Sequence, residues 1–406
     1  MSHPRSGRSG GFGTRAVHSA TRAPKVDQTP DAVPIYQAVT FSANDSEELG
    51  DILGDRKPGY AYSRIDNPTA VAMADALAEL HGAESGFGFA TGMAAAHAMF
   101  MALLRSGDHV VASSALYGSV QHLLEDRFGR LGIETTLVDV ADHEAVEAAF
   151  RPNTRLLHVE TIANPTIVVA DLPALAEIAH RHGAALTVDN TFASPYLCRP
   201  LEQGADLVFE SCTKWIGGHS DVLGGAVLGD AARMKEVRAV QIDTGATLAP
   251  LSAFLILRGI ATLHVRMERH TESALTLARA MESNEAVQRV YYPGLPSHPQ
   301  SVVAQRVLRS GGGMLALDLG DRAAAAAFLD ALTIPPHTAS LGSVMTMAVH
   351  PPSTTHRQIP AAALAAAGIH EGLVRVSVGL EDVDDLIEDF EHGLTAARTA
   401  VGAQSA

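Results

Sequence analysis

An α/β architecture with a mostly parallel central sheet, followed by a smaller C-terminal α+β region, is what this sequence predicts, on three observations. Short β-rich runs alternate with helical ones through the middle of the chain, the rhythm of a parallel sheet covered by helices. Of the 406 residues 47% are apolar and 18% charged, a composition that buries a large core. Beyond about residue 250 the text becomes helical, and strands then return.

The opening MSHPRSGRSGGFG, rich in Ser, Gly and Arg, is followed by no apolar stretch and reads as a flexible lead rather than an address. From Thr14 to about Asn67, Pro24, Pro30, Pro34 and Pro58 interrupt every candidate helix, which predicts an extended arm. At Pro68 the pattern changes. TAVAMADALAELHG is an amphipathic helix closed by Gly82, and ATGMAAAHAMFMALLRSGD is a helix opened by a glycine turn. The runs HVVAS, TTLVDV, RLLHVE, ALTVDN and ADLVFES follow as strands, with LPALAEIAHRHG as an intervening helix. After LSAFLILRGIATLHVRMERHTESALTLARAMES, a helical stretch, MLALDLG and LVRVSVG read as strands and RAAAAAFLDAL as a helix. EDVDDLIEDFEH reads as the solvated face of a C-terminal helix. The expected division is an arm over 1–67, a sheet-bearing domain over 68–255 and a smaller domain over 256–406.

A formal charge of −15 argues against a nucleic-acid partner. The best apolar run, Met93 to Leu104, is short and interrupted by His97, so no membrane span is expected. Cys198 and Cys212 cannot build a disulfide framework, which fits a reduced, cytoplasmic compartment. The 19 histidines are scattered, His264 and His270 are not spaced as a helical metal pair, and HExxH is absent, so no metal site is expected.

Of the 30 basic residues only four are lysines, which makes each easy to judge. Lys25 and Lys57 lie beside prolines, and Lys235 sits among charges on an expected exposed helix. Lys214 differs: it follows the strand ADLVFES and precedes the glycine-rich WIGGHSDVLGG, so it leaves the carboxyl end of a strand, where ligands of parallel sheets sit. The plain alternative is a surface lysine that happens to follow a strand. Ser211 and Thr213 flank it with hydroxyls, Asp189 ends the strand ALTVD, and the turn Thr91, Gly92, Met93 opens a helix whose N-terminus suits an anion. An amine, a carboxylate and a phosphate-binding turn together are what pyridoxal phosphate needs for its aldehyde, its ring nitrogen and its phosphate.

The runs YAYSRIDNPT (60–69), ATGMAA (90–95), YG (117–118), VDNTFASPYLCRPLEQGADLV (188–208), SCTKWIGGHSDVLGG (211–225) and VRVSVGLED (374–382) extend the pattern. As an ordered set they resemble the Cys/Met-metabolism family of pyridoxal-phosphate enzymes, which includes cystathionine γ-synthase, cystathionine γ-lyase, methionine γ-lyase and O-acetylhomoserine sulfhydrylase. The similarity runs from about Phe12 to Thr399. It implies the fold-type I, aspartate-aminotransferase-like transferase architecture with pyridoxal 5′-phosphate bound by the 68–255 domain. By that resemblance Lys214 would hold the cofactor aldehyde and serve as the base at substrate Cα. Asp189 would pair with the ring nitrogen, Tyr117 would stack on the ring and give a proton to the leaving group, and Asn164 would lie near the ring's phenolic oxygen. Gly92, Met93, Ser211 and Thr213 would bind the phosphate, and Tyr62 and Arg64 would reach the phosphate of a neighbouring subunit. Arg375, assisted by Ser340, would grip the substrate carboxylate.

The implied activity is γ-elimination or γ-replacement on a sulfur-containing amino acid or an O-acyl homoserine, the trans-sulfuration chemistry of methionine and cysteine metabolism. The implied assembly is a homotetramer of dimers that share active sites. Other readings are β-elimination from cystathionine or cysteine, a γ-substituted amino acid of a specialised pathway, and a catalytically silent cofactor-binding protein. The chain departs from the family pattern where the choice is made: Ala339 replaces an acid and His122 an arginine found in cystathionine γ-lyases, and Ser119 a cysteine usual in methionine γ-lyases. Met345 stands where many members keep a glutamate, and Trp215 where Tyr or Phe is common.

Overall fold

The computed structural model describes residues 28–357, 364–365 and 367–404. The Ser/Gly/Arg lead, Pro24 and Lys25 lie outside the described residues. The strands β1 (Ser85–Phe89), β2 (His109–Ser113), β3 (Glu134–Val138), β4 (Thr154–Glu160), β5 (Ala185–Asp189), β6 (Leu207–Glu210) and β7 (Gly225–Gly229) form one sheet in the order β1-β7-β6-β5-β4-β2-β3. From β6 through β3 every pairing is parallel, and β7 is antiparallel to both its neighbours. The strands read from sequence are therefore in place, and two further ones, SGFGF and GAVLG, close one side. Their glycines weaken β propensity, so burial rather than local preference makes them strands.

Apolar side chains cover both faces of the sheet, as a parallel sheet requires. Leu172, Leu175 and Ile178 of the helix Leu172–Arg181 pack with Leu157, Val159, Leu186 and Val188 on one side. Met99 and Phe100 of the helix Gly92–Leu103 pack with Val110, Leu156, Leu207 and Phe209 on the other. The helix Pro68–His81 begins on the Asn67 side chain, which accepts from Thr69 N–H, and stops at Gly82 in the left-handed conformation (φ 66°).

The second sheet is antiparallel, in the order β10 (Met347–Val349), β11 (Leu373–Ser377), β9 (Met314–Asp318), β8 (Arg289–Tyr291). Helices Arg322–Ala331 and Val383–Gln404 cover it through Phe328, Leu386, Phe390 and Leu394. The helical stretch after residue 250 is two helices, Pro250–Ala261 and Leu263–Glu282.

Two expectations are corrected. The segment read as an arm without helices contains the helix Ser46–Leu53, whose N-cap Asp45 accepts from Glu48 N–H; no proline falls between Pro34 and Pro58, so nothing prevents it. In the acidic C-terminal run, Asp389 is buried rather than solvated, because its carboxylate accepts from the Thr333 N–H and hydroxyl and from the Ile334 N–H.

Candidate active site

Strand register brings the chemistry together. Asp189, the last residue of β5, is paired with Glu160, the last of β4, and the two carboxylates stand side by side at the carboxyl edge of the sheet. A cavity of about 380 Å³ opens there. Lys214, Asp189, Tyr117, Asn164, Gly92, Met93, Ser211, Thr213, Ser340 and Arg375 all line it. Tyr62 and Arg64 do not: both are exposed on the outside of the same chain, where Arg64 Nη1 donates to the Ile242 carbonyl (2.7 Å) and its guanidinium lies over the Tyr62 ring.

Lys214 follows β6 through a tight turn in which its N–H donates to the Ser211 carbonyl. Its Nζ donates to Ser340 Oγ at 2.8 Å. Burial first, and then the Arg375 charge, lower its pKa to about 8, with Asp189 opposing. At pH 7 about a tenth of a lysine so placed is neutral, several hundred times the fraction at the ordinary lysine value, and neutral is the state in which an amine is a nucleophile and a base. Burial, with Glu210 nearby, raises the Asp189 carboxyl to about 7 against hydrogen bonds from Thr191. A cation close to it would reverse that shift.

On the wall of the same cavity Thr91 caps the helix Gly92–Leu103, its hydroxyl accepting from Ala94 N–H (3.0 Å). The amides of Gly92 and Met93 precede the first helical hydrogen bond and carry the positive end of the helix. Close approach makes Gly92 obligatory: a Cβ there would stand 2.7 Å from Ser211 Cβ. Thr213 Oγ1 is tied to Gly224, accepting from its N–H at 3.1 Å.

Arg375 is 3% exposed on β11, an interior strand. Its Nη1 donates to Asn164 Oδ1 and its Nη2 to the Ser340 carbonyl, each at 2.7 Å. Ser340 thus meets Arg375 through its main chain and Lys214 through its hydroxyl. Its φ of +101° is the kind of backbone strain that persists where surrounding contacts over-determine it.

Sequence reasoning missed Glu160, Thr191, Phe192 and Thr355, all on the cavity wall. Glu160 was within reach, since it ends RLLHVE at the same sheet edge at which Asp189 ends ALTVD. Burial and then Asp189 push its carboxyl well above the ordinary value, while hydrogen bonds from the Tyr117 and Asn164 amides and the Arg375 charge oppose this.

A family model described as Cys/Met metabolism PLP-dependent enzyme matches residues 13–395. The chain belongs to this family. It is 42% identical over 388 residues to an L-methionine γ-lyase of Porphyromonas gingivalis, covering 95% of this chain and 97% of the relative. It is 44% identical over 386 residues to an O-succinylhomoserine sulfhydrylase of Pseudomonas aeruginosa, covering 95% of each. Among solved structures, cystathionine γ-lyase from Lactobacillus plantarum complexed with L-serine superposes with a TM-score of 0.85 at 35% identity, over 90% of this chain and 94% of that one. The Cys/Met-metabolism enzyme described here accordingly has the fold-type I architecture and depends on pyridoxal phosphate. Its cavity fits that cofactor. A primary amine, a buried carboxylate and two first-turn amides of a helix line one space, and the glycine of the turn keeps that space open.

Proposed function

We propose that the enzyme catalyses γ-elimination or γ-replacement on a sulfur-containing amino acid or an O-acyl homoserine. The observation that carries the reading is the presence, in one cavity, of the depressed-pKa amine of Lys214 and the buried guanidinium of Arg375, with only one serine, Ser340, bonded to both. The named relatives, methionine γ-lyase and O-succinylhomoserine sulfhydrylase, support it.

Bound pyridoxal phosphate supplies an aldehyde for the substrate amine and an electron sink for the bond broken at Cα. Lys214 Nζ would hold that aldehyde and, as a free amine, would take the proton from substrate Cα. Asp189 would hold the ring nitrogen by a charge-assisted hydrogen bond. The Gly92 and Met93 amides with Ser211 and Thr213 would hold the phosphate. Arg375 would grip the α-carboxylate in two-pronged fashion, with Asn164 Oδ1 accepting from its Nη1 and Ser340 assisting. The Tyr117 hydroxyl gives a proton to the departing γ group.

We assign residues 68–255 to cofactor binding, 256–406 to the smaller domain and 1–67 to an arm that reaches a neighbouring subunit. Ile35, Tyr36, Val39, Tyr60 and Tyr62 of that arm are exposed apolar side chains that want cover, and Tyr62 and Arg64 do not line their own chain's cavity. A homotetramer of dimers with shared sites satisfies both. Cytoplasmic residence fits the two free, buried cysteines; among the described residues no helix is long and apolar enough to cross a membrane.

Incubation of the coenzyme-loaded enzyme with methionine, homocysteine, cystathionine, O-acetylhomoserine and O-succinylhomoserine, with and without a thiol, tests the activity. Formation of 2-oxobutanoate or of the thiol-exchanged amino acid is expected. Pyruvate as the product would assign β-elimination instead, and no turnover of any substrate would defeat the reading.

A further inference from the structure

The groups around the cavity are joined in one hydrogen-bonded chain, and Glu160 is the member no role has yet claimed. Lys214 Nζ bonds the Ser340 hydroxyl, the Ser340 carbonyl takes Arg375 Nη2, and Arg375 Nη1 bonds Asn164 Oδ1. From there the Asn164 N–H donates to Glu160 Oε2 at 2.9 Å, and the Tyr117 N–H donates to Glu160 Oε1 at 2.5 Å. Tyr117 and Asn164 lie in different loops, one after β2 and one after β4, and no strand ladder connects them. The Tyr117 phenol is 40% exposed and makes no hydrogen bond of its own among the described residues, so its main chain is what places it.

We propose that Glu160 is a positioning residue of the active site. Its single carboxylate, using a different oxygen for each, holds the main chains of Tyr117 and Asn164 at a set spacing and so aligns the phenol with the Asn164–Arg375 pair. The proposal rests on the roles given above to Tyr117 and Asn164. The residue type matters. Glu160 is 6% exposed and directly beside Asp189 on the neighbouring strand, a place where a second carboxyl is unfavourable for the fold alone. Only a side chain with two acceptors and this reach serves two N–H donors that face it from separate loops. In E160Q one oxygen becomes an NH2 opposed to an N–H, so one anchor is released; in E160D both acceptors remain but the side chain is a methylene too short to span them.

The test compares parent, E160Q, E160D, Y117F and the E160Q/Y117F double variant as coenzyme-loaded enzymes. Borohydride should trap the coenzyme on the lysine as fully in the Glu160 variants as in the parent. Their visible circular dichroism, which reports how the ring is seated, should fall to about half or less, because a ring neighbour displaced by a fraction of an ångström changes its asymmetric surroundings. On any substrate the parent turns over, kcat/KM should fall by about tenfold to a hundredfold in E160Q, and by about twofold or less when E160Q is added to Y117F, as for residues that act as a unit. Unchanged dichroism, or a Glu160 effect that persists undiminished in the Y117F background, would overturn the proposal. So would failure of both single variants to fold, or a lowered Tm with dichroism and kinetics intact, since either assigns Glu160 to the fold alone. The dichroism needs no substrate, so a parent that turns over nothing defeats the proposed activity while Glu160 is still decided.

Discussion

Single residues in this site are set by burial before anything else. Desolvation is the largest influence on Lys214, Asp189, Glu160 and Arg375 alike, and charge pairing among them only adjusts the result. Lys214 provides the first prediction. Coenzyme uptake by the coenzyme-free enzyme should accelerate as pH rises and Nζ loses its proton, with a one-proton midpoint near 8 in a stopped-flow absorbance titration. A midpoint near the ordinary lysine value would show that the amine is not desolvated. Asp189 provides the second. Its carboxyl is raised from 3.8 to about 7 in the folded, coenzyme-free protein, so between those values the native state holds a proton that the unfolded chain has released. The resulting stability is present at low pH and is lost as pH rises through about 7. The Tm of the coenzyme-free enzyme should therefore decline from pH 5 to 8 more steeply than that of D189N, in which only the Glu160 part of the slope remains; equal slopes would contradict the assignment. Gly92 provides the third. In G92A the new methyl meets Ser211, and coenzyme affinity should drop by at least about tenfold, one lost hydrogen bond's worth of free energy, as read by fluorescence titration.

At the scale of elements, the helix Leu263–Glu282 supports the lysine loop from below. Its Arg266 is buried, with no carboxylate partner among the described residues. Instead Nη1 donates to the Trp215 carbonyl (2.6 Å), Nη2 to the carbonyls of Gly259 (2.6 Å) and Ile216 (3.2 Å), and Nε to Thr262 Oγ1 (3.1 Å). Burial alone lowers its pKa, to about 10, so it remains charged. One side chain thus closes the end of the helix Pro250–Ala261 and pins the residues immediately after Lys214. R266M keeps the stem and removes the donors, leaving the Trp215 and Ile216 carbonyls unpartnered at a cost of about 3 kcal/mol, while Gly259 keeps its bond from the Thr262 N–H. Urea unfolding should show the midpoint fall with the slope unchanged, and the loosened loop should release coenzyme faster; a change within about 0.5 kcal/mol would mean water replaces the guanidinium. Nothing in LHVRMERH singles this arginine out, because its partners are tens of residues or one to two helix turns away and three of the four are main-chain oxygens.

The whole molecule places the site between two sheets. Lys214 and Asp189 come from the parallel sheet and Arg375 from the antiparallel one, so the second sheet completes the cavity that the first begins. The proposed sharing of sites between subunits can be tested without a structure of the assembly. K214A and R64A should each be nearly inactive. Mixed oligomers refolded from equal amounts should regain about a quarter of the parent activity, since random pairing makes half the dimers mixed and each mixed dimer rebuilds one intact site. No recovery would mean that Arg64 serves its own chain.

By itself the sequence determined the alternation of strands and helices, the cap at Gly82, the turn that opens a helix at Gly92 and the lysine and carboxylate at strand ends, because each depends on neighbours a few residues away. The tertiary structure alone decided that glycine-rich SGFGF and GAVLG are strands, that Asp389 is buried, and that the Ser340 hydroxyl meets Lys214 across 126 residues of sequence while its carbonyl meets Arg375. The same is true of the Glu160 bridge. Those outcomes depend on which surfaces are desolvated together when the two sheets pack, and local preference carries no record of that.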